Sequence, residues 1–170
     1  MSAAALPGDQ ATVSVGLAVP PAEAFRVFTE EIDLWWRRGR RFRNAPGEAG
    51  IVCIEPGVGG RMFESFATDI GERCVETGRV LAWEPAQRLV FEWRAINFAP
   101  HERTEVEVRF EPTSRGGTRV TVVHRGWSVL RADHPVRHGQ DVGAFIRTMG
   151  LWWGDLMTSL RLRTAGQGPR

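Results

Sequence analysis

From Thr12 to Val19 every second position is apolar, Val13, Val15, Leu17 and Val19, and this alternation predicts one half-buried strand. Pro20 and Pro21 stop it. A proline in the first helical turn is tolerated because its missing N–H would have no intrahelical partner. Ala24, Phe25, Phe28, Ile32 and Trp35 then recur at three- and four-residue spacing, which predicts an amphipathic helix of about three to four turns. After an arginine-rich loop the period returns to two. Ile51 to Ile54, Arg61 to Ala67, Cys74 to Trp83, Arg88 to Arg94, Arg103 to Phe110 and Thr118 to Arg125 are predicted strands, separated by the turn-forming stretches EPGVGG, DIGE, EPAQ, FAPHE and TSRGG. Connectors this short make antiparallel hairpins. Leu89, Phe91 and Trp93, with Thr104, Val106, Val108 and Phe110 and with Val120, Val122 and His124, fall on one face; their alternates, from Glu92 and Arg94 to Arg119 and Thr121, are polar. One face of the sheet is therefore wet.

The last segment has the broadest apolar stripe. Val142, Phe145, Ile146, Met149, Trp152, Trp153, Leu156, Met157 and Leu160 place a helix from about Gln140 to Arg163. At the α-helical rise it spans on the order of 35 Å, enough to cross a whole sheet. Its stripe must lie on the inner face of the strands. The chain is thus expected to be one α+β domain over residues 12–163, with tails at 1–11 and 164–170.

Composition changes the picture mainly by what it removes. All 22 basic residues are Arg; there is no Lys and no Tyr, against seven Trp and nine Phe in 170 residues. Without Lys there is no Schiff-base nucleophile, no pyridoxal phosphate anchor and no phosphate-loop lysine. The net charge of +2 gives no global argument for nucleic acid, and a lone basic loop without a reading helix argues against it. Cys53 and Cys74 stand twenty-one positions apart with no C-x-x-C pair and no neighbouring His, so they are expected to be reduced thiols rather than zinc ligands. No charged leader precedes an apolar run and no stretch of eighteen apolar residues exists, from which a cytoplasmic location and no membrane partner are expected. GVGG at residues 57–60 lacks the G-x-G-x-x-G spacing of a dinucleotide loop, and no cofactor is expected.

Several motifs resemble a known family. VPPAEAFRVFTEEIDLWW (residues 19–36) resembles the opening of the START-like SRPBCC superfamily, where a strand ends in Pro and a helix carries A-F-x-x-F before a Trp pair. EPGVGGRMFE (55–64) resembles the P-G-x-G-G hairpin of its heat-shock-protein-90 ATPase activator homologue branch. GRVLAWEPAQRLVFEWR (78–94) and GGTRVTVVHRGW (116–127) are similar to later strands of that branch. The branch's G-W-x-x-x-L step in the last helix is altered, since Gly150 is followed by Leu151. The resemblance implies a helix-grip (START-like, Bet v-like) fold: a curved antiparallel sheet of about six to seven strands wrapped around the long C-terminal helix. It also implies a cavity between sheet and helix for a small hydrophobic or amphipathic molecule. The alternatives are a polyketide cyclase or dehydratase using His124, and a co-chaperone-like module that binds a chaperone partner. The helix or an edge strand could also pair two copies as a homodimer.

On that reading Phe91, Trp93, Val122, His124 and Trp127 from the strands, with Phe145, Met149, Trp152 and Trp153 from the helix, are the candidate cavity lining. Aromatic stripes on core-facing helices also serve as plain packing, and about half of these rings are expected to do only that. His124 is the single candidate acid or base, with no second inward group to complete a dyad. WWRRGRRFR puts five guanidinium groups in seven positions, which calls for a solvated loop paired to Glu30, Glu31 and Asp33. Its functional reading is an anion site at the cavity mouth, carried by Arg38, Arg40 and Arg41. His134 and His138 flank Pro135, which disfavours a helix presenting both to a metal, and are expected in an exposed loop.

Overall fold

A computed structural model of the chain describes residues 9–45, 49–131 and 133–166. Seven strands, β1 (Gln10–Leu17), β2 (Ile51–Ile54), β3 (Arg61–Thr68), β4 (Gly71–Glu84), β5 (Arg88–Trp93), β6 (Thr104–Pro112) and β7 (Thr118–Arg125), form one antiparallel sheet in the order β1-β7-β6-β5-β4-β3-β2. Successive hairpins build β2 to β7, and β1 closes the far edge by pairing with β7, Val13 opposite Val122 and Val15 opposite Val120. Register breaks between Met62 and Phe63 and between Val80 and Ala82 mark bulges that bend the sheet. Gly78 sits between them, where a Cβ would come within 1.8 Å of the Glu92 carbonyl oxygen; only glycine lets the two backbones approach this closely.

α1 (Pro21–Glu30) starts on the second proline, as its sequence suggests. The expected single helix breaks at Glu31, whose φ of −108° and ψ of 22° separate α1 from the short α2 (Ile32–Trp35). At the break, Arg26 and Arg163 meet the Glu31 carboxylate at 2.7 and 2.8 Å. The Trp35 indole N–H donates to the Phe28 carbonyl at 3.2 Å, capping one acceptor near the interruption.

α3 (Val142–Ala165) begins at Asp141, whose carboxylate accepts from the Ala144 N–H at 2.8 Å as an N-cap. Phe145, Met149, Trp153, Leu156, Met157 and Leu160 are buried along one face; Val142, expected in this stripe, lies in the first turn and is exposed. The inward strand residues Leu89, Phe91, Val106, Val108, Val120 and Val122 are all buried, so sheet and helix enclose one core. The ordered body runs past residues 12–163 at both ends. β1 begins at Gln10 with Ala11 buried, and the fully buried Thr164 hydroxyl donates to the Leu160 carbonyl at 3.1 Å. The outermost parts of the expected tails, 1–8 and 167–170, lie outside the described residues.

The outer sheet face is polar with an exception. Glu107, flanked in register by Val90 and Val123, is buried beneath Arg88, Arg109 and Arg125, whose contacts to it run from 2.6 to 3.1 Å. Burial alone would raise its pKa; the hydrogen bonds from the three guanidinium groups outweigh that and pull it down to about 2.

Candidate functional site

A cleft of about 290 Å³ opens where the chain after α2 crosses the concave side of β2, β3 and β5. Its walls come from distant elements: Trp36 and Phe42 from the arginine-rich loop, Met62 and Glu64 from β3, Trp93 from the end of β5 and Trp152 from α3. The rings interlock. Trp36 meets Trp152 edge to face at 5.8 Å between centroids, Phe42 stacks on Trp152 at 5.6 Å, and Trp93 reaches Trp152 at 6.2 Å.

The loop over the cleft is held at both ends. Arg43, expected in a solvated loop, is buried and acts as its base, donating to the Asp33 carboxylate at 2.7 Å and to the Asp33 and Trp36 carbonyls at 2.9 and 2.6 Å. A buried guanidinium is tolerable only with this degree of pairing. Glu64 is the far anchor: its two carboxylate oxygens accept from the Asn44 and Ala45 N–H groups, each at 2.7 Å. Between them the Trp152 indole N–H donates to the Arg41 carbonyl at 2.6 Å. Arg37 and Arg41 share Asp155 at 3.8 and 3.6 Å and lie over the Phe42 ring at 5.4 and 5.2 Å. Of the three arginines expected at a cavity mouth, Arg40 and Arg41 line this cleft, whereas Arg38 points to Asp33 at 3.6 Å and to the Gly50 carbonyl at 3.3 Å.

The candidate lining divides in two. Trp93 and Trp152 face the cleft. Phe91, Val122, His124, Trp127 and Trp153 are completely buried, with Phe145 and Met149 nearly so, and they pack as core. His124 sits in a hydrogen-bonded chain whose direction is fixed. The Trp153 indole can only donate, so its N–H gives to His124 Nδ1 at 3.0 Å. His124 Nε2 therefore carries the proton and meets Thr104 Oγ1 at 2.7 Å, and the Thr104 hydroxyl passes its own proton to the Trp93 carbonyl at 2.9 Å. Burial among Trp93, Trp127 and Trp153 pushes the His124 pKa down to about 3. The imidazole is a neutral, fully bonded core group.

The histidines around Pro135 also separate. His134, expected to be exposed, is buried: its Nδ1 accepts from the Val136 N–H at 3.1 Å and its Nε2 lies 3.1 Å from the Glu102 carboxylate. His138 is exposed and lines the cleft from a left-handed backbone conformation, φ 49°. Among the described residues no three His, Cys, Asp or Glu side chains gather in a metal-ligating group, and no helix is long and apolar enough to cross a membrane. His138 is in the exposed loop expected for it, and Glu64 was not singled out from the sequence. Glu64 did carry a signal, because a carboxylate at the inward position between Met62 and Phe66 must have partners.

The family model described as Activator of Hsp90 ATPase homolog 1-like protein matches residues 18–147. No curated protein matches the chain. Among solved structures, protein NE0264 from Nitrosomonas europaea is 18% identical with a TM-score of 0.64, over 97% of this chain and 99% of that one. An HSP90 activator from Plasmodium falciparum is 16% identical with a TM-score of 0.61, over 92% and 96%. These two likenesses bear on the fold alone, a seven-stranded curved sheet gripping a long C-terminal helix. The anthrahydroquino-γ-pyrone synthase Txn09, solved as a complex, is 28% identical with a TM-score of 0.51, over 85% of this chain and 90% of that one.

Proposed function

The chain belongs to the family of Activator of Hsp90 ATPase homolog 1-like proteins, and from that premise we propose that it binds a small aromatic or amphipathic molecule in the cleft beneath the arginine loop. The observation that carries this reading is the convergence of Trp36, Phe42, Trp93 and Trp152 on one partly open volume of about 290 Å³. That is the lower end of the roughly 300 to 1,000 Å³ range of small-molecule sites. Rings that only packed would close on one another. Here Phe42, Trp93 and Trp152 keep part of their surface accessible. The binding region is thus set at the edge of the sheet–helix interface, and the His124 cluster serves as the rigid wall behind Trp93.

The 28% identity to the anthrahydroquino-γ-pyrone synthase favours a second reading, chemistry on the bound molecule. Both His124 ring nitrogens are occupied, so in this reading the proton donor or acceptor is sought on the cleft wall, where the exposed His138 stands. The likeness to the Plasmodium activator, at 16% identity, brings no partner with it.

Titration with an uncharged aromatic probe, 2-anthracenemethanol, followed by quenching of Trp fluorescence, tests the binding reading. Saturable binding is expected, weakened at least about tenfold in Trp152→Ala if that ring is a principal contact, since burying an aromatic ring contributes about 1.5–3 kcal/mol. Unchanged affinity in a Trp152→Ala protein with a wild-type circular dichroism spectrum would overturn the placement.

A further inference from the structure

Resting on that reading of the cleft, we infer that its natural ligand is an aromatic carboxylate, whose anionic end is held at the mouth by Arg40, Arg41 and His138. The charge balance of the loop points there. Arg37, Arg40 and Arg41 face one carboxylate that pairs with any of them among the described residues, Asp155. Arg43 and Arg38 draw on Asp33, while Arg37 and Arg41 divide Asp155 at distances too long for strong bonds. Arg41 keeps 65% of its side chain accessible. Arg40 has no ion pair among the described residues and borders the cleft. Glu64, the one acidic side chain on the cleft wall among the described residues, accepts from two backbone N–H groups and makes no ion pair with either guanidinium group among those residues.

His138 adds a donor to the cleft wall. It holds a left-handed conformation that side-chain-bearing residues seldom adopt, and Gly139 beside it also has positive φ; together they turn the chain so that His138 borders the cleft. Guanidinium forks match a carboxylate in two parallel bonds, and the adjoining indole and phenyl rings exclude water that would otherwise weaken them. Phe42 sits under Arg37 and Arg41, which ties the cationic rim to the aromatic wall. An acid group attached directly to fused rings would reach both at once.

The experiment compares 2-anthracenecarboxylate with 2-anthracenemethanol, which differ chiefly in charge, at one ionic strength and by calorimetry. The carboxylate is expected to bind at least about tenfold tighter, the scale of a charge-assisted hydrogen bond. In Arg40→Gln/Arg41→Gln the carboxylate is expected to lose far more affinity than the alcohol, so that most of that ratio is lost; the Trp152 bond to the Arg41 main-chain carbonyl is kept. Equal affinities in the wild type, or a ratio that survives the double substitution, would overturn the inference while leaving the cleft as a site. Failure of both probes to bind would overturn the cleft reading and this inference with it.

Discussion

At His124, two hydrogen bonds of fixed direction and three indole neighbours hold the imidazole neutral. An unfolded chain takes up this proton near pH 6.5, the folded one only near 3. Between those values the unfolded state binds more protons, so stability is fully present above pH 6.5 and falls as the pH drops, by up to about 1.4 kcal/mol per unit. The lowered carboxylate of Glu107 acts in a different window. Its contribution is present above its ordinary 4.5 and is lost toward 2. Urea midpoints between pH 6.5 and 5.5, above the carboxylate window, are therefore expected to show a loss of about 1 kcal/mol in the wild type and a flatter slope in His124→Gln. An equal slope in both would contradict the buried neutral assignment. The alternation of β7 makes the inward direction of His124 legible in the sequence. Its isolation was not legible, because it depends on Trp153 and Thr104, which are brought to it only by the packing of α3 and β6. Arg43 is the same lesson reversed: five neighbouring arginines read alike, and only the tertiary position of Asp33 selects one for burial.

At the level of elements, the strands were readable because hydrophobic alternation is local. β2 and β7 have the expected bounds, and the others differ mainly at their ends, where hairpins such as β3–β4 continue beyond the core through residues that are exposed on both faces. The split between α1 and α2 was not readable, since the apolar spacing of Phe28, Ile32 and Trp35 continues through the break at Glu31. The loop over the cleft is similar: local bonds such as Trp36 to the Phe42 carbonyl and Arg43 to the Trp36 carbonyl shape it, but Glu64 and Trp152, its anchors, come from distant elements. Glu64→Gln leaves one acceptor oxygen where two N–H groups now bond. It is expected to cost about 1.5–3 kcal/mol and to speed hydrogen exchange at Asn44 and Ala45 while leaving amides in β6 and β7 protected. Unchanged exchange at those two amides would show that the carboxylate does not anchor the loop.

In the whole molecule, the seven strands and α3 pack the region where a central cavity was expected, and the accessible aromatic surface moves outward to the loop side. The helix-grip architecture was legible from the order of elements and the family resemblance together. The position of the site was not, because filled and open wedges share the same apolar periodicity and differ only in how side chains from both layers meet. The seven tryptophans make that difference measurable. The most direct test is an NMR titration of the assigned indole N–H signals with 2-anthracenecarboxylate. The cleft account predicts the largest shifts at Trp36, Trp93 and Trp152, with Trp35, Trp127 and Trp153 little changed; largest shifts at Trp127 and Trp153 would place the ligand around His124 and contradict it.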